Sequence, residues 1–184
     1  MRAPHASFSS LIGRFARQER GAAAVEFALV AAPFLALLFG IIELGLLFMG
    51  SVTLDNATQA AARQVRTGQV VSPSTPEGKE TSKTAFRDSI CDNMGWMKSD
   101  CLTNLVVDVR TFTQFKDVNY NNPIQNGAFN PGQTTFDTGG PSQIVLVRAY
   151  YPWKLYVPLA SGALDKTGGK TLLTSITTFR NEPY

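Results

Sequence analysis

The sequence predicts an α+β protein in which a long N-terminal transmembrane helix continues into a small exported domain with a second helix and an antiparallel sheet of about three strands. Three observations predict it. An apolar run from Phe27 to Met49 holds a single charge, an alanine-patterned segment behind it keeps helical spacing, and three segments rich in β-branched and aromatic residues follow. The expected layout is a basic cytoplasmic leader over residues 1–21, the transmembrane helix over 22–50 and the exported domain over 51–184.

The leader comes first. The chain of 184 residues has a formal net charge of +3, and Arg2, Arg14, Arg17 and Arg20 against Glu19 account for all of it. From Ala22 onward basic and acidic residues balance, so no nucleic-acid partner is expected of the folded part. His5, in the leader, is the single histidine. Without the leader there is no imidazole for a Ser/His/Asp or Cys/His system or for a transition-metal site. No catalysis, cofactor or metal is therefore expected.

Phe27 to Met49 is long enough to cross a bilayer core, since a helix of that length spans roughly 34 Å. Arg14, Arg17 and Arg20 crowd its N-terminal side and the next positive charge is Arg63, so the positive-inside rule puts the N-terminus in the cytoplasm and the C-terminal domain outside it. A secretory signal has a shorter apolar core followed by small residues at the cleavage site. Here the small residues Gly21 to Ala24 come before the run. That reversal is the pattern of prepilin-type processing, with Gly21 as the last leader residue and Ala22 as the new N-terminus.

Glu26 is then the fifth mature residue, followed by Phe27. Cleavage would create an α-amine with a pKa near ~8, mostly protonated at the edge of the apolar phase. Between axially offset helices, the Glu26 carboxylate can meet the amine of a neighbouring subunit, relieving an intramembrane charge that costs about 2.5–3.5 kcal/mol at a helix centre and less near an edge. The alternative is that Glu26 snorkels to the interface. Glu43, near the far interface, has two readings as well: plain solvation, or a helix-packing or partner contact. Pro33 either kinks the helix or is tolerated in it.

Beyond Met49, "SVTLDNATQAAARQVR" places Ala57, Ala60, Ala61 and Val65 on one stripe, with Asp55, Gln59, Arg63 and Arg66 outside it. Gly68 stops that helix, and "SPSTPEG" reads as a linker or turn. A second helix is expected from Lys79 to Met94, with Phe86, Ile90 and Met94 facing the core. Strands are expected over Asn104 to Phe112, Gln143 to Tyr151 and Thr171 to Phe179, antiparallel because the connections between them lack helical periodicity.

Cys91 and Cys101 fall between the second helix and the first strand, where a loop can bring them together. A disulfide there would contribute roughly 3 kcal/mol in the chain-entropy picture and would agree with an exported domain; free buried thiols are the other reading. Asp117 to Gly140 is expected to be a long loop. Its Asp117, Asn119 and Asn121 alternate as at the start of a calcium loop, but the later glycine and glutamate are missing, which leaves a plain turn-rich loop as the alternative. The aromatic stretch "YYPWKLYVP" reads as sheet core or a membrane-surface belt, with a sugar-stacking platform as the other option.

The stretch "RGAAAVEFALVAAPFLALLFGIIELG" resembles the TadE family, minor pilin-like (pseudopilin) proteins of the Tad/Flp-type pilus assembly system, as do "VLVRAYYPWKLYVPL" and the terminal "TTFRNEPY". The resemblance covers both ends of the chain. It implies cleavage between Gly21 and Ala22 by a prepilin peptidase, a subunit-assembly role for Glu26 and Phe27, and a place in the inner membrane with the C-terminal domain in the periplasm. The partners implied are the peptidase, other pilin-like subunits, the major pilin and the inner-membrane assembly platform. Two rivals stand beside it: a type II secretion pseudopilin, and an uncleaved single-span anchor carrying a periplasmic ligand-binding or sensory domain.

Overall fold

A computed structural model describes residues 19–118, 124–125, 128–156 and 170–184. It has the expected α+β architecture: a long apolar helix, further helices and a three-stranded antiparallel sheet. The chain divides into two units, Met1–Ile42 and Glu43–Tyr184.

Helix α1 (Glu19–Arg66) is assigned without a break through Pro33. In the first unit its side chains from Ala22 to Ile42 are exposed apart from the half-buried Ala31 and Gly40. In the second unit the same helix has a buried stripe, Glu43, Gly50, Leu54, Ala57, Thr58, Ala61, Ala62 and Val65, stepping by three and four residues. Ala60, expected on that stripe, is exposed. At 100° per residue it lies about 130° from the centre of the buried face, which Thr58 and Ala62 occupy instead. The helix ends in a Schellman motif: Gly68 N donates to Val65 O at 3.0 Å and Gln69 N to Gln64 O at 2.9 Å, with Gly68 at φ +72°.

Helix α2 (Pro76–Asp92) starts three residues before the expected Lys79, because Thr75 caps it by accepting from Gly78 N at 3.3 Å and Pro76 supplies the preset φ of a first turn. Part of the expected linker is thus a helix start. Phe86, Ile90 and Met94 are all fully buried, as their spacing predicted, although Met94 lies beyond the helix end. A 3-10 turn and an unexpected short helix α3 (Lys98–Asn104) follow. Cys91 and Cys101 therefore sit on two helices rather than in a loop, and they form a disulfide with Cα atoms 5.5 Å apart.

Strand β1 (Val106–Phe112) is followed by a two-residue hairpin, β2 (Ile124–Gln125) and β3 (Ala128–Phe129), inside the expected long loop. Strands β4 (Ile144–Lys154) and β5 (Lys170–Arg180) complete a sheet of order β1-β4-β5, antiparallel throughout. Alternation sends Val107, Val109, Val145, Val147, Ala149, Tyr151, Trp153 and Leu173 into one core with Leu54, Ala57, Ala61, Phe86 and Ile90 from the helices. The small sheet is thus packed on α1 and α2 through that core.

The other sheet face holds an ion cluster. Asp108 and Arg148, both buried, are joined through Arg148 Nε at 2.9 Å and through its Nη2. Asp108 also accepts from Arg110 Nε at 3.1 Å and from Thr135 N at 2.7 Å. Phe129 packs on Tyr150 beside it, ring centroids 5.4 Å apart.

The last residues lock the second unit. Asn181 Nδ2 donates to Thr138 O at 2.9 Å and Gly140 O at 3.0 Å, while Glu182 N donates to Arg66 O at 3.0 Å, satisfying one of the open carbonyls at the end of α1. The Tyr184 ring covers Gly68 so closely that a Cβ there would lie 2.8 Å from it.

Candidate functional site

The residues expected to carry processing and assembly lie at the start of α1. Gly21 and Ala22 are inside its first turns, and Ala22, Glu26 and Phe27 are exposed, Phe27 at 74%. Ala22 and Glu26 are one turn apart on the same side of the helix. A peptidase cutting between Gly21 and Ala22 would have to open that turn, and glycine, about 1 kcal/mol worse than alanine in a helix, lowers the cost. The apolar side chains that follow, Leu29, Val30, Phe34, Leu37 and Ile41 among them, are exposed, and α1 is long and apolar enough to cross a membrane. One N-terminal helix of this kind fits a single-pass membrane protein.

Glu43 behaves differently from Glu26. It is buried, and its Oε1 accepts a hydrogen bond from the backbone N–H of Tyr156 at 2.5 Å. Of the two readings open for it, solvation gives way to a packing contact within this chain. Nothing in the local sequence indicates this, because the partner is a backbone amide far along the chain.

Further along the same unit, Leu46, Trp96, Asp100, Trp153, Lys154, Tyr156 and Lys170 line a cleft of about 400 Å³. α1 reaches the core here: a Cβ on Gly50 would lie 2.9 Å from the Trp153 ring. Trp153 meets Trp96 edge to face at 6.1 Å. The Tyr151 hydroxyl donates to the Asp100 carboxylate. Burial pushes the Tyr151 phenol well above its ordinary value, and the bond to Asp100 raises it further. Burial also raises Tyr150, against the opposing charge of Arg148.

The expected aromatic stretch therefore divides. Tyr150, Tyr151 and Trp153 are buried in or beside the sheet, while Tyr156 is 74% exposed; Val157 and Pro158 lie outside the described residues. Among the described residues no cluster of His, Cys, Asp or Glu could hold a metal ion. Asn119 and Asn121 of the calcium-type alternation lie outside the described residues. The terminal "RNEPY" closes on the end of α1 through the Glu182 N–H and the Tyr184 ring.

No curated protein and no solved structure matches the chain. The model of the TadE-like protein family matches residues 21–63, from Gly21 through Glu26 and the apolar run to the buried alanines of the second unit, so this chain carries a TadE-like helix, consistent with a TadE-family protein of Tad pilus systems.

Proposed function

We propose that this chain is a minor pilin-like subunit, cut after Gly21 by a prepilin peptidase, that takes part in the assembly or initiation of Tad/Flp adhesive pili. The observation that carries the reading is the coincidence of the TadE-like match over residues 21–63 with a helix whose side chains from Ala22 to Ile42 are almost all exposed. A single helix with such a surface requires lipid or other helices around it.

In this reading the basic flank of Arg14, Arg17 and Arg20 holds the N-terminus in the cytoplasm, the span rests in the inner membrane and the C-terminal domain faces the periplasm. After cleavage the Ala22 amine of one subunit pairs with Glu26 of an axially offset neighbour, and Phe27 packs at the same contact. The partners are other pilin-like subunits, the major pilin and the inner-membrane platform. The subunit itself performs no catalysis.

The test is the mass of the N-terminal peptide in native membranes with and without the prepilin peptidase. A peptide starting at Ala22 only when the peptidase is present supports the reading. An intact leader in both cases replaces it with an uncleaved single-span anchor. Glu26→Gln and Glu26→Ala address the pairing: wild-type piliation in both variants would remove the role given to that carboxylate.

A further inference from the structure

We infer that the outer edge of β5 is a docking edge for strand addition, and that its occupant is an extended strand of a different pilin-like subunit, an assignment that rests on the pilin-like reading of this chain.

β5 closes one side of the sheet. Asn181 N donates to Gln143 O at 2.8 Å, and counting back from that pair through the antiparallel register, Phe179, Thr177, Ser175 and Leu173 turn their backbone groups to β4. Leu172, Thr174, Ile176 and Thr178 therefore turn theirs outward. Among the described residues none of these outward N–H and C=O groups meets a partner. The opposite edge of the sheet differs: Val109 of β1 donates to Thr135 O at 2.8 Å and accepts from Asp137 N at 3.0 Å, so a segment of the chain already lies along it.

Proteins usually blunt an open strand edge with lysine, proline or a bulge. From Thr171 to Phe179, "TLLTSITTF", β5 has no charge, proline or glycine, and its pairing with β4 runs unbroken. Thr174 and Ile176 are exposed, Ile176 at 49%. An uncharged, β-branched edge of this kind gains its missing hydrogen bonds when another strand is laid against it.

The surroundings decide the occupant. Gln59, Arg63 and Arg66 of α1 and Thr177 and Phe179 of β5 line a cleft of about 320 Å³ beside the edge. Arg66 pairs with Glu182 at 3.4 Å, while Arg63 is exposed. A strand added here fits when it carries β-branched side chains over Ile176 on one face and a carboxylate toward Arg63 on the other. A second copy fits poorly on two counts. Its β5 holds no acidic residue to offer Arg63. Two β5 edges paired antiparallel are also related by a two-fold axis normal to the sheet. Because α1 packs along the sheet face, that axis would point the Glu43 ends of the two helices in opposite directions, although both continue into a span of one membrane.

Hydrogen exchange reads the edge directly. In the purified full chain in detergent, the amides of Leu172, Thr174, Ile176 and Thr178 should exchange freely, while those of Leu173, Ser175 and Thr177 stay protected by β4. In membranes of the native host the first set should become protected by about 10-fold or more, and in membranes lacking the other pilin-like subunits it should not. Arg63→Glu should lower that protection by up to about 5-fold, the worth of one exposed ion pair. Thr174→Pro with Ile176→Pro removes outward N–H groups but no bond to β4, so it should abolish the protection of Leu172 and Thr178 with a native circular dichroism spectrum retained.

Free exchange at the edge in native membranes overturns the inference, as does protection that survives both variants. Protection that grows with concentration in the purified chain would identify a second copy, and protection that persists without the other pilin-like subunits would identify another partner; either overturns the assignment. A chain that begins at Ala22 with a freely exchanging edge sinks this inference alone, whereas an intact leader sinks the pilin-like reading together with it.

Discussion

The Glu43 carboxylate on α1 holds the backbone N–H of Tyr156, the second residue past β4, at 2.5 Å. The bond ties the helix to the sheet where the second unit begins. Removing the acceptor gives up a part-buried hydrogen bond to a charged group, which contributes about 1.5–3 kcal/mol. Glu43→Ala should lose about that much stability in urea unfolding of the full chain in detergent, and Glu43→Gln, which keeps an acceptor, clearly less. Equal losses would show that the charge rather than the bond matters.

Asp108 and Arg148 form a buried ion pair, and each depends on the other to offset its desolvation. Asp108→Ala should destabilise the domain by about 3–5 kcal/mol because it removes the carboxylate that pairs with the buried guanidinium. Asp108→Leu combined with Arg148→Met should recover most of that loss. A double variant as unstable as the single one would mean that Thr135 and Arg110, not Arg148, are what Asp108 supports.

Gly68 is constrained twice, by φ +72° and by the Tyr184 ring 2.8 Å from where a Cβ would be. Gly68→Ala should cost about 1–2 kcal/mol from the left-handed backbone alone, and more with Tyr184 in place. Adding Tyr184→Ala should relieve the second part, so the two substitutions should be less than additive in a thermal unfolding cycle. Strict additivity would mean that the ring moves aside freely.

Tyr151 gives a pH dependence of known sign. Its folded pKa lies above the unfolded value of ~10, so above that pH the unfolded chain releases a proton that the folded chain retains. Its contribution is complete below pH ~10 and declines as pH rises past it. Stability of the wild type should fall through that range, and Tyr151→Phe should flatten the fall. An unchanged slope would place the alkaline sensitivity elsewhere.

Several features were legible because they depend on neighbours in the chain. The transmembrane-grade run, the stop at Gly68, the Phe86, Ile90 and Met94 stripe and the three strands all come from local periodicity and backbone preference, and the structure has each within a few residues. The misplacements have separate causes. Ala60 resembles the buried alanines in size and spacing, but only the angular position of the sheet decides which alanine is covered. Helix α3 carries too few residues to show a period, and the early start of α2 depended on a cap rather than on a pattern.

By itself, then, the sequence determined the elements and the long apolar run, with Gly21, Ala22, Glu26 and Phe27 at its leading edge, because a 3.6-residue or two-residue period and a basic flank are written in consecutive positions. Tertiary structure alone decided which carboxylate is buried, what the terminal residues hold, and that Lys154 and Lys170 share a cleft with Leu46, Trp96 and Tyr156. Each of these joins groups far apart along the chain, and the free energy that selects them arises only when packing has excluded water from between them.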